Sequence, residues 1–99
     1  MFASVRRYGI HPASLDELKS RVEEGFIPIV SSVPGFIAYY VISEGDGTVF
    51  SINVFEDKAG ADESARRAAD WVEENIASLV SRTPDVASGE VIVQVHKVR

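Results

Sequence analysis

One antiparallel sheet with helices packed on it, an α+β fold, is what this sequence predicts, and three observations carry the prediction. Apolar residues recur at helical spacing in two stretches, 15–33 and 61–80, and strand-like runs at 2–8, 36–43, 48–55 and 90–98 surround them. The third observation is the strand Phe36-Ile37-Ala38-Tyr39-Tyr40-Val41-Ile42, which is apolar on both sides: Phe36, Ala38, Tyr40 and Ile42 on one, Ile37, Tyr39 and Val41 on the other. Two helices shelter only one face of a small sheet, so the other face demands a second chain or a ligand.

The first run, residues 2 to 8, alternates small or apolar with polar side chains and ends at Gly9. Ser14 then stands where a helix cap belongs, and Glu17, three residues on, completes a capping-box pattern. The helix that follows places Leu15, Leu18, Val22, Phe26, Ile29, Val30 and Val33 on one face. Gly25 and Pro28 interrupt it: Pro28 has no amide for the carbonyl of Glu24, so a kink or a break into two segments is expected, and Pro34-Gly35 stops it.

Glu44-Gly45-Asp46-Gly47 offers two glycines for a tight hairpin between the strands Phe36 to Ser43 and Thr48 to Phe55. In the second of these, Phe50, Ile52 and Val54 form one wholly apolar row, and Val49, Ser51, Asn53 and Phe55 a mixed one. Asp57 is placed to cap the second helix, whose apolar set is Ala61, Ala65, Ala68, Ala69, Val72, Ile76, Leu79 and Val80, with Arg82-Thr83-Pro84 ending it. After a loop through Ser88-Gly89, residues 90 to 98 read as the last strand, with Val91, Val93 and Val95 on one side.

The order strand, helix, strand, strand, helix, strand is the ferredoxin-like βαββαβ plan, with both helices on one side of the sheet. The uniformly apolar rows, Phe50/Ile52/Val54 and Val91/Val93/Val95, are the natural ones to meet the helices. The mixed rows then face away and leave Val49, Phe55 and Ile92 bare in a single subunit, which predicts a homodimer through the sheet face.

Composition agrees with one domain over 1–99: 45% of residues are hydrophobic, 25% are charged, and the length supports a core without metals or disulfides. The chain has no cysteine, which excludes a disulfide framework, thiol catalysis and thiolate metal sites. No segment approaches the ~20 apolar residues of a membrane span, so a cytoplasmic protein with no membrane partner is expected. A net charge of −5 with scattered basic residues argues against nucleic-acid binding.

Several segments together resemble a known family: Pro34-Gly35-Phe36-Ile37-Ala38-Tyr39-Tyr40, the Asp46-Gly47 hairpin, Ser51-Ile52-Asn53-Val54-Phe55, Ala68-Ala69-Asp70-Trp71-Val72 and Gly89-Glu90-Val91. They resemble the antibiotic biosynthesis monooxygenase-like domains of the dimeric α+β barrel superfamily. The resemblance spans nearly the whole chain and rests on motifs of backbone geometry, so it specifies architecture better than activity. It implies a fold that includes cofactor-independent oxygenases of aromatic polyketides and quinols, haem-degrading enzymes, and members with no established activity. The haem-degrading branch uses an asparagine on the first strand and a histidine on the second helix. Residues 2 to 8 contain no Asn and residues 61 to 80 no His, so haem degradation is not expected.

Candidate site residues follow from side-chain chemistry. Trp71 lies on the flank of its helix, where it either walls a ligand cleft or packs at an interface, and Asn75 is one turn further on. Phe26 and Tyr40 join them as ligand-contact candidates. Asn53, Tyr39 and His96 are the candidates for holding and deprotonating a substrate, His96 because imidazole titrates near neutral pH. The bland alternatives are a polar border residue for Asn75, a structural strand-end residue for His96 and buried rings with wetted hydroxyls for the tyrosines. His11 and His96 share no carboxylate at ligand spacing, so no metal site is expected. The function this predicts is a cofactor-independent, monooxygenase-like protein that binds a small hydrophobic or aromatic molecule between sheet and helices. The alternative is a non-catalytic small-molecule-binding or dimerisation module.

Overall fold

The computed structural model describes residues 1–97. Strand β1 (Phe2–Ile10) leads through a short 3-10 turn (Pro12–Ser14) into helix α1 (Leu15–Arg21), a π-helical turn (Val22–Phe26) and helix α2 (Ile27–Ser31). Strands β2 (Phe36–Ser43) and β3 (Thr48–Phe55) form a hairpin, helix α3 (Lys58–Asn75) crosses back, and β4 (Val80–Glu90) completes the sheet. The strand order is β2-β3-β1-β4, antiparallel throughout, with the helical segments over one face.

Local chemistry accounts for the elements. Asp57 caps α3 as expected, its Oδ1 accepting from the Gly60 amide at 3.0 Å. Ser14 makes no such bond, because the preceding 3-10 turn already directs the chain into α1. The expected interruption around Gly25 and Pro28 takes the form of the π turn, which absorbs one extra residue and delivers Pro28 to the first turn of α2, where its missing amide costs nothing. Gly45 and Gly47 take the positive φ values of 89° and 94° that the hairpin requires. There Asp46 accepts from the Thr48 amide at 2.9 Å, which holds its carboxyl below the usual carboxylate range.

Three expectations are corrected. First, the helix does not run to Val80: it ends at Asn75, and Arg82, Thr83 and Pro84 belong to β4. Pro84 is tolerated because β4 is an edge strand and its register slips against β1 between Arg7 and Gly9, so no ladder amide is missed. Second, of the run expected as the last strand only Glu90 belongs to the sheet, as the final residue of β4. β1 begins at Phe2, and the last contact is the Val91 amide donating to the Met1 carbonyl at 2.9 Å. Beyond it Ile92, Val93 and Val95 are 83–91% exposed. Val98, the end of the expected strand, lies outside the described residues.

Third, the two rows of β3 face the opposite way from expectation. Val49, Ser51, Asn53 and Phe55 are buried under the helices, whereas Phe50, Ile52 and Val54 are only half-buried on the open face. A bulge at Ile37 rephases β2 in the same sense: Phe36 pairs with Phe55 and Tyr39 with Asn53, so both rings lie on the helix side. Phe36 meets Phe55 edge-on with centroids 5.8 Å apart. The core between the layers is built around Tyr8, Phe26, Val30, Val49, Phe55 and Trp71.

Candidate functional site

Between the sheet and the helices lies a cavity of about 40 Å3, walled by residues from every layer of the fold. Strand β1 contributes Arg6 and Tyr8, β2 Tyr39, β3 Ser51 and Asn53, the π turn Phe26, and α3 Trp71 and Val72. Period-two alternation delivers Arg6 with Tyr8 and Ser51 with Asn53, and the bulge at Ile37 delivers Tyr39. Phe26 stands between two other aromatic rings, Tyr39 and Trp71, with centroids 5.5 Å from each. The π turn also puts Gly25 against the indole: a Cβ at Gly25 would stand 3.0 Å from Trp71 Nε1, so any larger residue there would have to displace the ring.

Asn53 supplies the polar asymmetry of this site. Its Nδ2 donates to Ser64 Oγ at 3.0 Å, and Ser64 is itself fully buried on α3. Its Oδ1 has no partner although the residue is 4% exposed. A buried amide oxygen without a donor is costly, so the oxygen is set to accept from a water or from the hydroxyl or N–H of a bound molecule. Burial pushes the Tyr39 hydroxyl well above the ordinary phenol range and Tyr8 adds to the shift, while Ser51 and Arg6 pull it partly back. Tyr39 is therefore a neutral hydroxyl at physiological pH, a donor and acceptor of hydrogen bonds and not a base.

Of the residues singled out from sequence, Asn53, Tyr39, Trp71 and Phe26 line the cavity together. Asn75 does not: its side chain donates to the Trp71 carbonyl at 2.9 Å, and it borders a separate outer groove with Arg21, Glu24 and Gly25. Tyr40 pairs with Ile52 on the open face and is 57% exposed. His96 lies on the exposed stretch after β4, away from the cavity walls. Sequence reasoning missed Arg6, Tyr8, Ser51 and Ser64 as parts of one assembly. The signal was the alternation Ser4, Arg6, Tyr8, Ile10, which places Arg6 on the covered face of β1.

Two wider grooves flank the cavity. One, of about 370 Å3, runs between α1 and β2 and shares Leu18, Val22, Tyr39 and Val41 with it. The other, of about 670 Å3, runs between α3 and β4 and shares Arg6, Tyr8, Val72 and Val80.

A four-stranded antiparallel sheet with helices over one face and a cavity between the layers defines the ferredoxin-like α+β class. The chain belongs to the antibiotic biosynthesis monooxygenase family, whose sequence pattern matches residues 1–69. Solved structures share the fold. A protein of unknown function from Nitrosomonas europaea superposes with a TM-score of 0.81 at 20% identity, covering 99% of this chain and 95% of that one. A monooxygenase of Streptomyces coelicolor in complex with nanaomycin D gives 0.77 at 18%, covering 98% and 92%. A heme-degrader from Mycobacterium tuberculosis with two hemes bound in its active site gives 0.73 at 17%, covering 97% and 100%. No curated protein matches the chain. Among the described residues, no helix is long and apolar enough to cross a membrane.

Proposed function

We propose that the protein binds a small hydrophobic or aromatic molecule in the cavity and its flanking grooves and acts as a cofactor-independent monooxygenase on an electron-rich phenol or quinol. The observation that carries this reading is the unpartnered Oδ1 of Asn53 in a largely apolar cavity that Phe26, Tyr39 and Trp71 help to wall. It accepts the hydroxyl of the substrate, the neutral Tyr39 hydroxyl orients a second oxygen, and Phe26 and Trp71 stack on the ring. An electron-rich phenol delivers its own electrons to dioxygen, which is why the reading asks for no metal or flavin. Family membership and the nanaomycin-bound relative support it.

The working unit in this reading is a homodimer through the sheet face. Ala38, Tyr40, Ile42, Phe50, Ile52 and Val54 form a contiguous apolar surface that the chain's own helices do not reach, and Tyr40 and Ile42 remain 57% and 46% exposed.

A second reading, a non-catalytic binding or dimerisation module, is favoured by one observation. The space of about 40 Å3 between sheet and helices holds about two waters, so a bicyclic ligand fits only by extending into a groove. Dioxygen consumption across a panel of quinols and anthrones separates the two. The oxygenase reading expects turnover with at least one of them and a loss of more than about tenfold in Asn53→Leu. A flat trace with every compound, from folded protein, leaves the module.

A further inference from the structure

Two guanidinium groups stand without a carboxylate, and both line the groove between α3 and β4. The chain carries a net charge of −5, so acidic partners are plentiful, and its other described arginines have found them. Arg7 faces Asp85, Arg21 faces Glu17, and Arg66 and Arg67 share Glu63. Among the described residues, Arg6 and Arg82 have no carboxylate within 4.0 Å.

Arg6 gives one N–H to the Ala65 carbonyl at 3.1 Å and keeps its remaining donors. The groove also holds one carboxylate, Glu73, which pairs with neither arginine, so its lining is net positive on a negatively charged protein. Apart from the Ser81 hydroxyl its other walls are apolar, Val72, Ala77 and Val80 among them, and it shares Arg6 and Tyr8 with the cavity. Arg6 is half-buried and Arg82 is exposed, and an anion bound between them would offset the repulsion of the two cations. A surplus of a single positive charge matches a monoanion better than a phosphate dianion. Planar guanidinium forks fit a carboxylate.

We propose that this groove binds the carboxylate of a small aromatic acid, with Arg6 and Arg82 holding the anion and the ring lying over Val72 and Val80 toward the cavity. The inference rests on the ligand-binding reading above and narrows it from hydrophobic molecules in general to those that carry an acid group. It makes Arg82, which the sequence marks only as part of a helix stop, a specificity determinant.

Isothermal titration calorimetry with 2-naphthoate and its neutral analogue 2-naphthalenemethanol tests it. The intact protein should bind the acid about tenfold more tightly than the alcohol. Arg82→Gln should abolish most of that preference while leaving the alcohol's affinity in place, and Arg82→Lys, which keeps the charge without the fork, should fall between. Arg66→Gln removes the same charge from the exposed surface of α3 and should change neither affinity. Equal affinities for acid and alcohol overturn the inference and leave the cavity reading standing. An acid preference that survives in Arg82→Gln also overturns it, and failure of both compounds to bind overturns it together with the reading it rests on.

Discussion

The two faces of the sheet differ in a way that inverts the usual rule. The covered face, packed under the helices, carries Ser4, Arg6, Ser51 and Asn53 among its apolar residues, while the open face presents Ala38, Tyr40, Ile42, Phe50, Ile52 and Val54 on β2 and β3, with the Arg7–Asp85 pair beside them on β1 and β4. A covered face optimised only for stability would exclude polar groups that need partners. An open face optimised only for solubility would not collect isoleucines. On the reading proposed above, the polar groups beneath the helices serve a molecule bound in the cavity, and the oily surface outside serves a second copy of the chain.

Substitutions on the two faces should therefore have opposite signatures. The largest effect belongs to Phe55→Ala: Phe55 is fully buried under the helices, and the change should cost about 3–5 kcal/mol in urea denaturation. Ile52→Glu, one pleat away on the open face, should leave the circular dichroism spectrum intact and halve the particle mass seen by light scattering. If the parent protein already scatters as one chain at low micromolar concentration, the open face is not a subunit interface.

A smaller stability effect but a larger functional one is expected at the polar pair. Replacing Asn53 and Ser64 together, as Asn53→Leu with Ser64→Ala, removes both members of a buried hydrogen bond and the unpartnered oxygen with it. Stability should stay within about 1 kcal/mol of the parent or rise, while the affinity for a phenolic ligand falls by calorimetry. A drop of several kcal/mol would make the pair structural.

The smallest effect at neutral pH belongs to Tyr39, whose phenol is held above its ordinary range by burial. The unfolded chain ionises this group near the usual value of about 10 while the folded chain keeps it neutral. Its contribution is thus complete below that pH and lost progressively above it, until the folded phenol also ionises. Denaturation midpoints should fall more steeply above pH 10 in the parent than in Tyr39→Phe. Parallel profiles would remove Tyr39 from the account.

Much of this architecture is readable from residue spacing. The strand-helix alternation, the Asp57 cap and the break at Gly25-Pro28 are local signals that survive into the fold, whereas the Ser14 cap does not. What spacing did not show is which face of β3 turns inward. Assigning the most apolar row to the helices assumes that the chain covers its own best surface, and here it does not. The last strand was misplaced for a related reason. Residues 80–90, with Pro84 and Gly89, are a poor strand sequence that pairs because β1 lies beside them, while Val91, Val93 and Val95 have the better pattern and no neighbour beyond Met1. The candidate site was half visible: Asn53, Tyr39, Trp71 and Phe26 converge, but Arg6 and Ser64 gain meaning only once β1 and α3 are set against β3.

Trp71 is the single tryptophan of the chain, and it forms part of the cavity wall beside Phe26. Its fluorescence therefore comes from one known place, with no second indole to dilute the signal. Any molecule that settles against that wall must alter the polarity or quenching that the excited ring experiences. The protein carries an intrinsic optical gauge of its own occupancy, able to rank compounds without label or coupled assay and with catalysis or without it.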